Sequence, residues 1–264
     1  MKAKQARDNF PALLSLFDQF EIPITWATVG HLFLNECRDG DHDWMTPVPH
    51  FSNKNWNFCQ GSWFDDDPYG NLGLNKEWYA TDLIEKILAG KVNHELGCHT
   101  FSHIDFSDAN CPANVARDEI KACSLAAQRF DVELKSMVFP GGTWGNIETL
   151  KNNGFLIYRK TINEDLAYPY FDNFGLLVTL ASLSFGKTHN WSKEFYIKRF
   201  KKYIDKAIAT GTIAHFWFHP SLDRWTLDNI MPVVLEYAKT QRQKGDLWIG
   251  TMGDIAEFIN ENRF

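Results

Sequence analysis

His94-Glu95-Leu96-Gly97-Cys98-His99-Thr100-Phe101-Ser102-His103 is the stretch on which the reading of this chain turns. Residues 91–98 read as a buried strand, entered from a Gly-Lys turn and running out into hydroxyl-bearing residues. His99 and His103 stand four apart just past its end. A tight turn there brings both imidazoles to one side, and neutral imidazole is a ligand that zinc accepts. Two surface histidines falling four apart by chance would look the same, so the spacing alone leaves both readings open.

Outward from this stretch, strands and helices alternate. Phe10, Leu13, Leu14, Phe17 and Phe20 recur at helical spacing across residues 6–20, and residues 22–30 follow as a β-branched strand. The patterning predicts helices over 78–88, 113–130, 146–153, 191–210, 227–243 and 253–259. It predicts strands over 136–139, 155–159, 176–180, 212–219 and 247–250. Such alternation implies one α/β domain over residues 1–264, with no internal repeat and no interdomain linker. Residues 35–78 break the pattern, with Pro47, Pro49, Trp44, Trp56, Trp63 and the run Asp65-Asp66-Asp67. A loop this long inside a compact domain is usually functional, and it reads as a lid-like or substrate-recognition insertion, or else as a structural cap. The three Asp read as a solvated turn or as a cation site.

Ten residues carrying two histidines and two hydroxyls in this order resemble the metal-binding motif of the polysaccharide deacetylase family. These are carbohydrate esterases that include chitin, peptidoglycan and nodulation-factor deacetylases. The resemblance implies that His99 and His103 are ligands of one divalent metal ion, zinc by preference. It also implies a deformed (β/α) barrel of about seven strands, with sites at the strand C-terminal ends. Phe216-Trp217-Phe218-His219 is similar to the family's last motif, which implies His219 as general acid to the leaving amine. His215 reads instead as buried and hydrogen-bonded. Phe139-Pro140-Gly141-Gly142 stands where the family has Arg-x-Pro-x-Gly; the Arg is not kept. There the resemblance implies the Gly141 N–H as oxyanion donor, while a plain Pro-Gly turn stays open. Trp63, Trp144 and Trp217 are the candidate substrate-binding rings.

The family's opening strand ends in two Asp, one a catalytic base and one a third metal ligand, and no such motif occurs here. The first strand is therefore expected to be missing, with weak activity and possible self-association as consequences. The implied function is de-N-acetylation of an N-acetylated sugar in a surface or cell-wall polysaccharide. The alternatives are hydrolysis of a cyclic, non-sugar amide, and a carbohydrate-binding pseudoenzyme that lacks the base.

Composition agrees with a glycan substrate and excludes several other classes. A net charge of −6 gives no electrostatic case for nucleic acid or an anionic membrane surface. Ten Trp fit a protein that stacks rings against sugars. No run of about 18 apolar residues is present, so no membrane span is expected. The first residues carry charge without an apolar stretch behind them, and five Cys lack any Cys-x-x-Cys pair. Both point to a cytoplasmic, reducing setting.

Overall fold

The computed structural model describes residues 2–47, 67–161, 165–187 and 189–262. The apolar spacing near the start builds α1 (Lys2–Phe20), which buries Phe10, Leu13, Phe17 and Phe20. This face receives Trp26 of β1 (Thr25–Thr28), whose ring lies 5.4 Å from Phe10 and 6.5 Å from Phe17. Each large side chain so buried contributes roughly 1.5–3 kcal/mol.

Later strands join β1 in chain order as far as β4, after which the last two exchange places. They are β2 (Glu95–Cys98), β3 (Ser136–Val138), β4 (Ile157–Lys160), the short β5 (Tyr170–Phe171) and β6 (Leu177–Leu180). The sheet order is β1-β2-β3-β4-β6-β5, parallel throughout except for β5 at the edge. A second pair, β7 (Leu183–Ser184) and β8 (Phe216–Trp217), is also parallel. One extended run links the two sheets. Ala181 N donates to Lys160 O, whereas Ser182 N donates to His215 O, so the chain changes partner within two residues. Gly97 lets β2 lie close to β3, because a Cβ there would sit 2.6 Å from Ser136 Oγ.

Helices α2 (Thr81–Leu88), α3 (Ala113–Gln128), α4 (Ile147–Asn152), α5 (Lys193–Thr210), α6 (Arg224–Asn229), α7 (Met231–Gln243) and α8 (Met252–Glu261) complete the fold. A main core holds α1, α3 and the sheet, and a small second one packs Met252 and Ala256 of α8 on Val138, Ile157 and Leu177. The capping box of Thr251 and Asp254 starts α8, and Met252 N donates to Thr25 Oγ1 at 2.9 Å.

Several expectations change. Among the described residues the strands close no barrel, and β1 has a ladder with β2 alone. The strand expected over 212–219 shrinks to the two residues of β8. Residues 247–249 alternate in burial as a strand would, with Trp248 exposed between partly buried Leu247 and Ile249, yet residues 247–250 join no ladder among the described residues. Alternation records which face is covered, not whether a neighbouring backbone is there to pair. The single helix expected over 227–243 is two, α6 and α7. Pro232, without an N–H, lies in the first turn of α7 and interrupts the ladder there.

The ends of the 35–78 insertion are paired to each other. Cys37 N donates to Gly70 O and Leu72 N to Asn35 O, at 3.1 and 2.9 Å, beside a Glu36–Asn71 bridge. Trp63, Asp65 and Asp66 lie outside the described residues.

Candidate active site

All the parallel strands deliver their C-terminal ends to one side, and His99 follows β2 directly there. The turn it begins is fastened to the segment after β1. His99 N donates to Thr28 O, Gly30 N to Thr100 O and His31 N to Phe101 O, at 3.1, 2.8 and 3.0 Å. Thr100 and His103 both adopt left-handed backbone, with φ of 58° and 57°. For a β-branched residue such as Thr100 this is a true outlier, costing of order 1–3 kcal/mol.

A buried carboxylate holds the turn in that shape. Glu119 of α3 accepts from Phe101 N at 2.7 Å, from Ser102 N at 2.9 Å and from the Ser102 hydroxyl. Burial nevertheless pushes the Glu119 carboxyl up to about 7, against these three hydrogen bonds. Thr100 Oγ1 accepts from Ile104 N at 3.2 Å and closes the turn from inside.

His99 Nδ1 lies 2.5 Å from Val138 O at the end of β3. A carbonyl only accepts, so Nδ1 carries the proton and Nε2 presents its lone pair outward. The His103 ring lies 4.8 Å away, centroid to centroid. Burial, then His103, bring His99 down to about 3; burial, then His219, bring His103 down to about 4. Both rings are therefore neutral at ordinary pH, the form that ligates metal.

His219 also joins this group, just beyond β8, with the Trp217 ring 5.5 Å from its own. Although His219 is exposed, partial desolvation lowers its pKa, and the positive charges of Lys2 and Arg159 lower it further. His215, expected to be buried, is only partly so; desolvation and Arg159 lower it to about 3, and its Nδ1 lies 3.5 Å from Thr179 Oγ1.

Gly141 follows β3 in a tight turn, with φ 57° and Gly142 at φ 75°, conformations that side-chain-bearing residues rarely adopt. Trp144, beyond it, is exposed and has Lys160 Nζ 3.8 Å from its ring centre. The structure thus sets His99 against His103, with His219 within electrostatic reach of both and Trp217 beside His219, while Gly141 and Trp144 lie past the end of the neighbouring strand. Trp63 is outside the described residues.

Three features were not anticipated. Arg159, at the end of β4, has its guanidinium 5.2 Å over the Trp217 ring, and burial alone pushes it down to about 10. Its Nε has no hydrogen-bond partner among the described residues. Glu119 is the second: it sits on the apolar face of α3, among Val115, Ala116, Ile120 and Cys123. The third is a set of donor side chains that could hold a metal, His31, Cys37, His42 and Asp67, whose donor atoms all lie within 4.8 Å of one another. Asp67, read from sequence as part of a solvated turn or a cation site, is buried. A His-x5-Cys-x4-His spacing from His31 was the available signal.

Fold and site define an α/β chain whose mostly parallel sheet gathers histidines at its strand ends. No family model matches the sequence, and no curated protein matches it. Among solved structures, the chain is similar to one described as a putative polysaccharide deacetylase from Mycobacterium smegmatis. The TM-score is 0.64 at 14% identity, covering 97% of this chain and 78% of that one. A second, Agd3, described as a novel carbohydrate deacetylase, gives 0.40 at 13% identity over 62% of this chain and 33% of its own. The first likeness is one of fold. No helix among the described residues is long and apolar enough to cross a membrane.

Proposed function

We propose that this chain hydrolyses an amide C–N bond, and that its substrate is an N-acetylated sugar of a polysaccharide. The observation that carries the reading is the convergence of His99, His103 and His219 at the C-terminal ends of parallel strands. The fold likeness to a protein described as a polysaccharide deacetylase supports it.

The histidine pair fits a borderline cation such as zinc. His99 Nδ1 is committed to Val138 O, which leaves Nε2 to ligate, and both rings are neutral. His99 and His103 would hold the ion, which when bound supplies polarisation of the acetamide carbonyl. The rest falls to the chain's own residues. His219, whose pKa is lowered, accepts a proton from the attacking water as the new C–O bond forms. The same proton passes to the amide nitrogen as the C–N bond breaks, giving acetate and a free amine. The Gly141 N–H donates to the carbonyl oxygen as it gains charge. Trp144 and Trp217, with Trp63 from the insertion, supply apolar faces for the sugar rings.

A second reading rests on the sequence: the two-Asp motif of the resembled family does not occur in this chain, and a protein without that base would bind carbohydrate without turning it over. Acetate release from N-acetylated oligosaccharides by zinc-loaded protein separates the two. Release that is lost in His219→Ala supports hydrolysis, whereas saturable glycan binding without acetate supports the second reading. Turnover of cyclic amides, with none of the glycans, would transfer the activity to a non-sugar substrate.

A further inference from the structure

The geometry points to a second, structural zinc site, separate from the histidine pair and built by His31, Cys37, His42 and Asp67. Asp67 Oδ2 lies 3.1 Å from His31 Nε2, 3.2 Å from Cys37 Sγ and 3.8 Å from His42 Nε2, and Cys37 Sγ lies 3.5 Å from His31 Nε2. A tetrahedron with nitrogen and oxygen at ~2.0–2.1 Å and sulfur at ~2.3 Å from zinc has edges of roughly 3.3–3.6 Å. Four of the six edges, at 3.1–3.8 Å, are therefore close to what zinc requires, and the remaining two are no longer than 4.8 Å.

Hydrogen bonding around the cluster orients the donors inward. His31 Nδ1 lies 2.9 Å from Trp78 O, which only accepts, so Nδ1 carries a proton and Nε2 is the atom that faces the sulfur and the carboxylate. Asp67 Oδ1 accepts from Tyr69 N at 3.0 Å, which turns Oδ2 toward the other three. Tyr79 Oη accepts from Gly70 N at 3.1 Å and so directs its own proton at Cys37 Sγ, 3.0 Å away. A phenol donating to sulfur, a carbonyl fixing an imidazole tautomer and an N–H fixing a carboxylate are the outer partners that metal ligands characteristically have. His31, Cys37 and Asp67 are all buried.

Four protein ligands of this mixed N, S and O character close the coordination sphere, which is the signature of a structural rather than a catalytic site. The ligands come from three places: the turn after β1, the outgoing end of the 35–78 insertion, and its returning end. A zinc ion there staples both ends of the insertion to the sheet. It also backs the active-site turn, since the Phe101 ring packs 5.6 Å from His31 and 5.3 Å from His42. The inference does not depend on deacetylase activity, because its readout is metal rather than turnover.

The test counts zinc in protein purified without chelators and compares the wild type with Cys37→Ser, Asp67→Asn and the double variant His99→Ala/His103→Ala. The expected result is the loss of one equivalent in each of the first two, while the double variant keeps that equivalent. Equal zinc in the wild type and Cys37→Ser would overturn the site. If the Cys37 and Asp67 variants do not fold, the wild type decides. Exchange with Co(II) should give thiolate-to-cobalt charge-transfer absorption and tetrahedral d–d bands, whereas a cobalt spectrum without the thiolate band refutes the assignment.

Discussion

Replacing Glu119 by Gln should leave the active-site turn in place but change how stability depends on pH. Gln retains an acceptor oxygen for Phe101 N and Ser102 N, and the Ser102 hydroxyl can reverse to accept from the amide. What disappears is the buried charge. Glu119 rises from the ordinary 4.5 to about 7, chiefly through burial. At 1.36 kcal/mol per unit, that shift amounts to about 3 kcal/mol. The sign follows from which state holds the proton. With its folded pKa raised, the contribution of Glu119 is fully present below pH 4.5 and is lost as pH rises through about 7. The wild type should therefore lose about 3 kcal/mol relative to Glu119→Gln between those limits, with other titrating groups cancelling in the comparison. Urea unfolding of both proteins, followed by tryptophan fluorescence from about pH 5 to pH 8, measures that difference. Glu119→Ala is the companion variant. It strips the acceptor from three buried donors at roughly 1–3 kcal/mol each and should destabilise at every pH. A wild-type-minus-Gln difference that stays flat with pH would show that the carboxyl is not held as a buried, reluctant anion.

Three further outcomes are expected. His219→Ala should lower kcat on N-acetylated oligosaccharides by roughly 10²–10⁴-fold with metal content unchanged; wild-type turnover in an active preparation would remove His219 from the chemistry. Arg159→Met should raise the pKa of His215 and His219, because the guanidinium lowers both, and it should cost little stability since a buried charge is replaced by an apolar chain. NMR titration of the imidazole protons reads this, and unmoved titration curves would contradict it. Gly30→Ala would put a Cβ 2.6 Å from Cys123 Sγ and 2.8 Å from Phe101 Cδ2, so a loss of about 1–3 kcal/mol is expected in urea; an unchanged midpoint would mean that the turn yields freely.

Long periodic segments were legible in the sequence because their signal is local. α1, α3 and α5 repeat apolar residues at helical spacing over four turns or more, and each forms close to where the pattern puts it. The short strands were harder, and β8 shows why. Residues 212–219 look like one long strand, but ladder length depends on how far β7 runs alongside, which their own sequence does not encode. Residues 247–250 are the extreme case: strand-like in pattern, and without a partner among the described residues. The histidines at 99 and 103 were legible as a pair because they lie within one turn. Arg159 was not, since an arginine ending an apolar strand looks like a solvated tip until the fold lays it over the Trp217 ring and desolvates it.

The turn from His99 to His103 explains why Glu119 could not be read as functional beforehand. On a helical wheel it is a defect, an acid among apolar residues. Its purpose appears only when α3 is laid beside the end of β2, where two backbone N–H groups and one hydroxyl need an acceptor. The same turn is gripped from two other sides, by Gly30 and His31 through backbone hydrogen bonds and by the imidazoles of His31 and His42 against Phe101. Two left-handed residues costing of order 1–3 kcal/mol each would relax if held by one of these alone. Held by all three, the strained backbone persists, and His99 and His103 face each other across it.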